Sequence, residues 1–316
     1  MKKRALCILL VLALAGCSGP AASESGSSSS GQTDVSTSGN GSTISTQESG
    51  YDRREAIDRP EIGEDVLIDP PYDFDPAEMV PSDFGDYFVD CDYPTQVSTY
   101  KIGEGTDIEN EVTVLQGEEE GPTIYIVAGV HGDEIAGWMT GNLIKKVGIR
   151  AGTVYILSPA NRWGADSDPR TRYVTGQEDL NRSFPGDPDG NMAERVADSI
   201  FQDIKRVNPV FLFDLHEARA NSENKDFLGS SLIYTSLDNM SDLYLEMLMA
   251  TESGELCSER FNFYGPGPIG SINNTVTTEL GIPTVTVETY RGYELERRIG
   301  DQLDIVEYVF EYYGIL

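Results

Sequence analysis

Short apolar runs that stop at a polar residue constrain this chain more than any other feature. Thr123, Ile124, Tyr125, Ile126, Val127, Ala128, Gly129 and Val130 run without a charge up to His131. Val210 to Leu215, apolar but for Asp214, likewise runs into His216. Such runs are expected of strands covered on both faces. After the first, Ile135, Trp138, Met139, Leu143, Ile144 and Val147 recur at helical intervals, predicting a helix over Glu134 to Val147. Further strands are expected over Thr153–Ser158 and Pro283–Glu288, and helices over Met192–Val207, Leu243–Arg260 and Asp301–Tyr313. This alternation implies an α/β fold with a mixed, mostly parallel central sheet and helices on both faces. In such sheets ligands bind outside the carboxyl ends of the strands, where His131, His216 and Glu288 all fall.

The N-terminal part has a different composition. Met1, Lys2, Lys3 and Arg4 precede an apolar stretch from Ala5 to Ala15, too short to span a bilayer and suited to an export signal. It closes in Leu14, Ala15, Gly16 and Cys17, which resembles a bacterial lipobox with Cys17 as the lipidated residue. This implies a signal over 1–17 and an extracytoplasmic protein whose one membrane partner is reached through a lipid anchor. Residues 18–50 are almost all Ser, Gly, Thr and small polar types, a composition that buries no core and predicts a disordered tether. Residues 51–90 hold thirteen acids against three arginines and five prolines, predicting an acidic, extended lead-in that drapes over the domain. Residues 91–316 remain for one catalytic domain. A formal net charge of −30 argues against nucleic acid as a partner. Cys91 and Cys257 are the cysteines left for pairing in an exported chain, and their disulfide is left open.

The chain contains two histidines, and both stand where a buried strand ends. Catalytic zinc sites typically take three protein ligands, often two imidazoles and a carboxylate, and keep a position open. Glu134 follows His131 by three residues, so a turn entering a helix aims both at one ion.

Taken in order, Gly129-Val130-His131-Gly132-Asp133-Glu134, Thr171-Arg172-Tyr173, Asp179-Leu180-Asn181-Arg182, Asp214-Leu215-His216 and Val287-Glu288-Thr289 resemble the zinc carboxypeptidase superfamily. Within it they are most similar to the succinylglutamate desuccinylase and aspartoacylase branch, over roughly Gly121 to Gly292. The resemblance implies a zinc carboxypeptidase-like (phosphorylase/hydrolase-like) fold, with one zinc on His131, Glu134 and His216. It casts Glu288 as the general base that deprotonates water and delivers the proton to the leaving nitrogen. Arg172 becomes the residue that polarises the scissile carbonyl. Asn181 and Arg182 become the clamp for a substrate carboxylate, and Asp179 the acid that orients a ligand imidazole, His131. A tyrosine that closes the site is expected at Tyr264, with Tyr290 as its competitor.

Aspartoacylase-type chains continue in a sizeable β domain, whereas 28 residues follow Glu288 here, predicting a more open site unless the acidic lead-in covers it. Arg219, three residues after His216, is a second candidate for reading substrate charge. Two activities fit the motifs: deacylation of a small N-acyl amino acid, or trimming of peptides or cell-wall stem peptides from the carboxyl end. A third reading, a non-catalytic zinc- or solute-binding lipoprotein, requires decay of Glu288 or Arg172, and both are present.

Overall fold

The computed structural model describes residues 78–219, 228–235 and 241–316. The readings that concern Cys17, the tether over 18–50 and the lead-in up to residue 77 lie outside the described residues.

Eight strands make one sheet: β1 (Thr95–Ile102), β2 (Asn110–Gly117), β3 (Glu119–Ala128), β4 (Ala151–Leu157), β5 (Phe211–Ala218), β6 (Ser231–Tyr234), β7 (Asn262–Tyr264) and β8 (Thr284–Tyr290). Their order is β1-β2-β4-β3-β5-β8-β6-β7. The central strands β4, β3, β5 and β8 pair in parallel, while β1 with β2, β2 with β4 and β6 with β8 pair antiparallel. The helices are α1 (Ile135–Ile144), α2 (Arg162–Ala165), α3 (Met192–Val207), α4 (Ser241–Ser253), α5 (Ile272–Leu280) and α6 (Leu295–Tyr312).

Alternate residues of β3 feed two cores, because successive strand side chains point to opposite faces. Ile124, Ile126 and Ala128 pack with α1, α4 and α6 on one face. Tyr125 and Val127 pack with α3 and α5 on the other. The sheet is therefore covered on both sides, as the apolar runs require. Every residue of β5 and β8 is buried.

Several elements begin or end away from their expected positions. β5 continues past Leu215 through His216 to Ala218, so His216 stands inside a strand and not after it. Glu288 likewise stands two residues before the end of β8. The third helix stops at Ser253, before Gly254 at φ +75°. The closing helix starts at Leu295, six residues before Asp301. Within the lead-in, Phe88 lies in the α1/α6 core and its N–H donates to Glu307 Oε1 at 2.9 Å. No disulfide joins Cys91 to Cys257, and Cys257 Sγ instead contacts the Asp301 carbonyl at 3.6 Å.

Candidate metal centre and its cleft

His131 and Glu134 stand in the loop that carries the chain from β3 into α1, with Glu134 at the N-cap position. His216 comes from the adjacent strand β5, where its register partner on β8 is Glu288. Gly129 at φ +73° gives the loop a sharp exit, and a Cβ there would meet Trp138 Cβ at 2.6 Å. The loop is tight because it must turn two polar side chains back over the sheet.

Three side chains converge. Nδ1 of His131 lies 2.7 Å from Glu134 Oε1, Nδ1 of His216 lies 2.7 Å from Glu134 Oε2, and the two Nδ1 atoms are 3.2 Å apart. All three residues are buried, and their donor atoms form the metal-ligating cluster found among the described residues. The far nitrogen of each ring is turned to a carboxylate. His131 Nε2 lies 3.2 Å from Asp179 Oδ1. His216 Nε2 lies 2.8 Å from Asp214 Oδ1, a close electrostatic approach rather than an aligned hydrogen bond. When the rings are neutral, carboxylates in these positions favour the proton on Nε2 and turn the Nδ1 lone pairs toward each other. Two such lone pairs repel at 3.2 Å unless a cation stands between them. The two Nδ1 atoms, 3.2 Å apart, nearly match the edge of about 3.3 Å expected for tetrahedral zinc with bonds of about 2.0–2.1 Å, whereas each stands 2.7 Å from Glu134, so the carboxylate would draw back by about half an ångström to admit the ion. The donor set therefore fits a small divalent ion.

The same cluster also stabilises a proton, which an entering ion would displace. Burial works against ionised Glu134, but the two imidazoles overcome it and hold the carboxyl well below its usual range. His216 shows the converse: burial opposes its protonation, and Asp214 and Glu134 raise it well above the usual range. Asp179 is held low despite its burial, by His131 and by Arg172, whose Nη2 lies 3.0 Å from Oδ2. Glu288 is pushed up to about 7, first by burial and then by Glu134, against the lowering effect of His216 and His131.

His131, Glu134 and Glu288 line a cleft of about 410 Å³. Arg172, Arg182 and Arg219 border it, and Leu228, Ile233, Tyr264, Pro266 and Pro268 supply an apolar wall. None of the described lead-in residues lines it. Arg172 Nη1 stands 3.7 Å from Glu134 Oε1. Arg182 is exposed, and its Nη1 donates to the Asn181 carbonyl at 2.5 Å. Asn181 is buried and already engaged, with Oδ1 accepting the Ile272 N–H at 3.1 Å and Nδ2 lying 3.4 Å from His216 Nε2. Tyr264 borders the cleft, whereas Tyr290 is buried and packs edge-on against Tyr293.

Four contacts here were not read from sequence. Thr286 Oγ1 donates to Asp214 Oδ2 at 2.9 Å, steadying the acid beside His216. The signal for Asp214 was available, since residues two apart on a strand share a face. The Glu217 N–H donates to Glu134 Oε2 at 3.1 Å. Asp133 and Glu217, each adjacent to a ligand, pair with the buried Arg291 and Arg298 from beyond β8. Nothing local marks those two arginines, which stand 158 and 81 residues from their acids.

Relatives repeat this fold. The N-alpha-acetyl-L-2,4-diaminobutyric acid deacetylase of Halomonas elongata is 35% identical over 128 residues, covering 39% of this chain and 36% of that one. The chain thus spans about a third of the length of that relative. The succinylglutamate desuccinylase/aspartoacylase structure from Rhodobacter sphaeroides is similar at a TM-score of 0.52 and 22% identity, covering 72% of this chain and 67% of that one. A putative carboxypeptidase A from Shewanella denitrificans is similar at 0.53 and 14%, covering 68% and 65%. Residues 120–304, more than half of the chain, match the succinylglutamate desuccinylase/aspartoacylase catalytic domain, and the chain belongs to that family.

Proposed function

We propose that this protein is a zinc-dependent hydrolase that removes an acyl group from the nitrogen of a small, carboxylate-bearing amide. The observation that carries the reading is the buried cluster of His131, Glu134 and His216, with a carboxylate behind each ring and Glu288 on the neighbouring strand. A bound ion would supply Lewis acidity, polarising the substrate carbonyl and lowering the pKa of water. Glu288, raised by burial toward neutrality, would accept the proton of the attacking water and pass it to the leaving nitrogen. Arg172, fixed by Asp179, would meet the charge that develops on the carbonyl oxygen. Among the described residues Arg182 pairs with no carboxylate, which leaves its planar fork available for the carboxylate of a substrate.

The test is product analysis of the purified protein on N-acyl amino acids, their carboxyl-amidated counterparts and C-terminally varied peptides, with and without a chelator. The N-acyl amino acids are expected to be hydrolysed, with activity lost to chelator and restored by zinc. Amidation should cost about 1.5–3 kcal/mol in kcat/KM, the scale for a hydrogen bond to a charged group, and Arg182→Ala should erase the difference. Undiminished discrimination in that variant would move the role to Arg219. Preferential release of C-terminal residues from peptides would favour the carboxypeptidase reading.

We also propose that the chain is exported and anchored through Cys17, on the strength of the charged start, the apolar core and the Leu14-Ala15-Gly16-Cys17 sequence. Cys17→Ser should move the protein to the soluble fraction. Its persistence in washed membranes would count against the anchor.

A further inference from the structure

Two side chains of α6 reach the metal centre from behind. Arg298 and Gln302 stand four residues apart, on one helix face, and are 1% and 0% exposed. Gln302 Nε2 donates to the His216 carbonyl at 2.9 Å and to Thr289 Oγ1 at 3.1 Å. That carbonyl belongs to the peptide unit whose N–H, at Glu217, donates to Glu134 Oε2 at 3.1 Å. A peptide unit is planar, so fixing its oxygen fixes the direction of its N–H. The second contact, to Thr289, lies beside the register pair of His216 with Glu288. Arg298 adds a parallel link. Its Nη1 donates to Glu217 Oε1 at 2.5 Å, and Glu217 Oε2 accepts the Ala136 N–H at 2.9 Å in the first turn of α1, the helix that Glu134 caps.

A purely structural role would be filled more cheaply by an apolar residue. Gln302 is wholly buried, and its Oε1 has no hydrogen-bond partner among the described residues, so its amide is only half satisfied. The half that is satisfied touches the ligand strand and the base strand.

We propose that Gln302 is a positioning residue of the metal centre, which aims the Glu134 carboxylate through the His216–Glu217 peptide unit. The inference rests on the metal-dependent reading above.

The experiment uses the full chain with zinc and cobalt as probes. Gln302→Met keeps the volume without the donor, and Gln302→Glu keeps the shape with an acceptor in its place; two variants guard against the misfolding of one. Each folded variant is expected to bind one equivalent of zinc with an affinity weakened about 10- to 100-fold in chelator competition. The visible spectrum of the cobalt-substituted protein should shift, and kcat should fall while KM stays within about twofold, as for an interaction realised beyond substrate binding. Thr289→Val, which leaves the bond to the His216 carbonyl intact, should retain wild-type zinc affinity. Wild-type zinc affinity and cobalt spectrum in either folded Gln302 variant would overturn the inference, as would an equal loss in Thr289→Val. Failure of the wild-type protein to bind zinc would instead bring down the functional reading on which it stands.

Discussion

Glu288 is the residue on which the proposed chemistry turns, because it combines burial, a carboxyl pushed up to about 7 and a register position opposite His216. Glu288→Gln keeps the shape and removes the base. We expect it to retain a full equivalent of zinc and to lose turnover by at least about 10²-fold, the range for a positioned acid–base group. Metal analysis and kcat on the same preparation check both halves, and a near wild-type rate would remove Glu288 from the mechanism. At this scale the candidate site was largely legible. Two histidines in the whole chain, with Glu134 three residues after one of them, leave few ways to build a centre. Asn181 was harder to read, since its own hydrogen bonds to Ile272 and toward His216 engage it before any substrate arrives.

The elements were legible where local signals agreed. Met192–Val207 forms over the residues expected, because Asn191 and Glu194 make a reciprocal cap and Asn208 in the left-handed region ends the helix. β1, β6, β7 and α5 lacked such agreement: β1 is largely exposed, β6 and β7 are four and three residues long, and α5 is built from Asn and Thr. The loop that carries His131 and Glu134 depends on a neighbour distant in sequence. A Cβ at Gly132 would stand 2.2 Å from backbone atoms of Gly164 and Ala165 in α2, which have no freedom to move aside as a side chain would. Gly132→Ala is therefore expected to destabilise the fold by about 1–3 kcal/mol or more and to weaken zinc binding. Denaturant unfolding and metal content measure the two effects, and a wild-type midpoint with full zinc occupancy would show that the loop does not rest on α2.

For the whole molecule, the pH dependence of stability should carry the mark of one buried acid away from the cleft. Asp301 on α6 is raised to about 7 by burial, against hydrogen bonds from Ser258 to both its oxygens. A carboxyl whose folded pKa lies above its unfolded value contributes stability that is complete below the unfolded pKa and is lost as pH rises through the folded one. From about pH 4 to 7 this group alone should lower stability by up to a few kcal/mol, on the order of 4 for a shift of about three pKa units. Asp301→Asn should flatten that slope in unfolding measured from pH 4 to 8, and a constant offset from the wild type across the range would refute the assignment. The sequence by itself determined the alternation of strands and helices, the covering of the sheet on both faces and the residues available to a metal, because buried runs and helical spacing are local properties. The order of the strands, the pairing of Asp133 and Glu217 with Arg291 and Arg298, and the grip of Gln302 on the His216 carbonyl were decided only by tertiary structure. They join segments that are far apart along the chain, where no periodicity links one partner to the other.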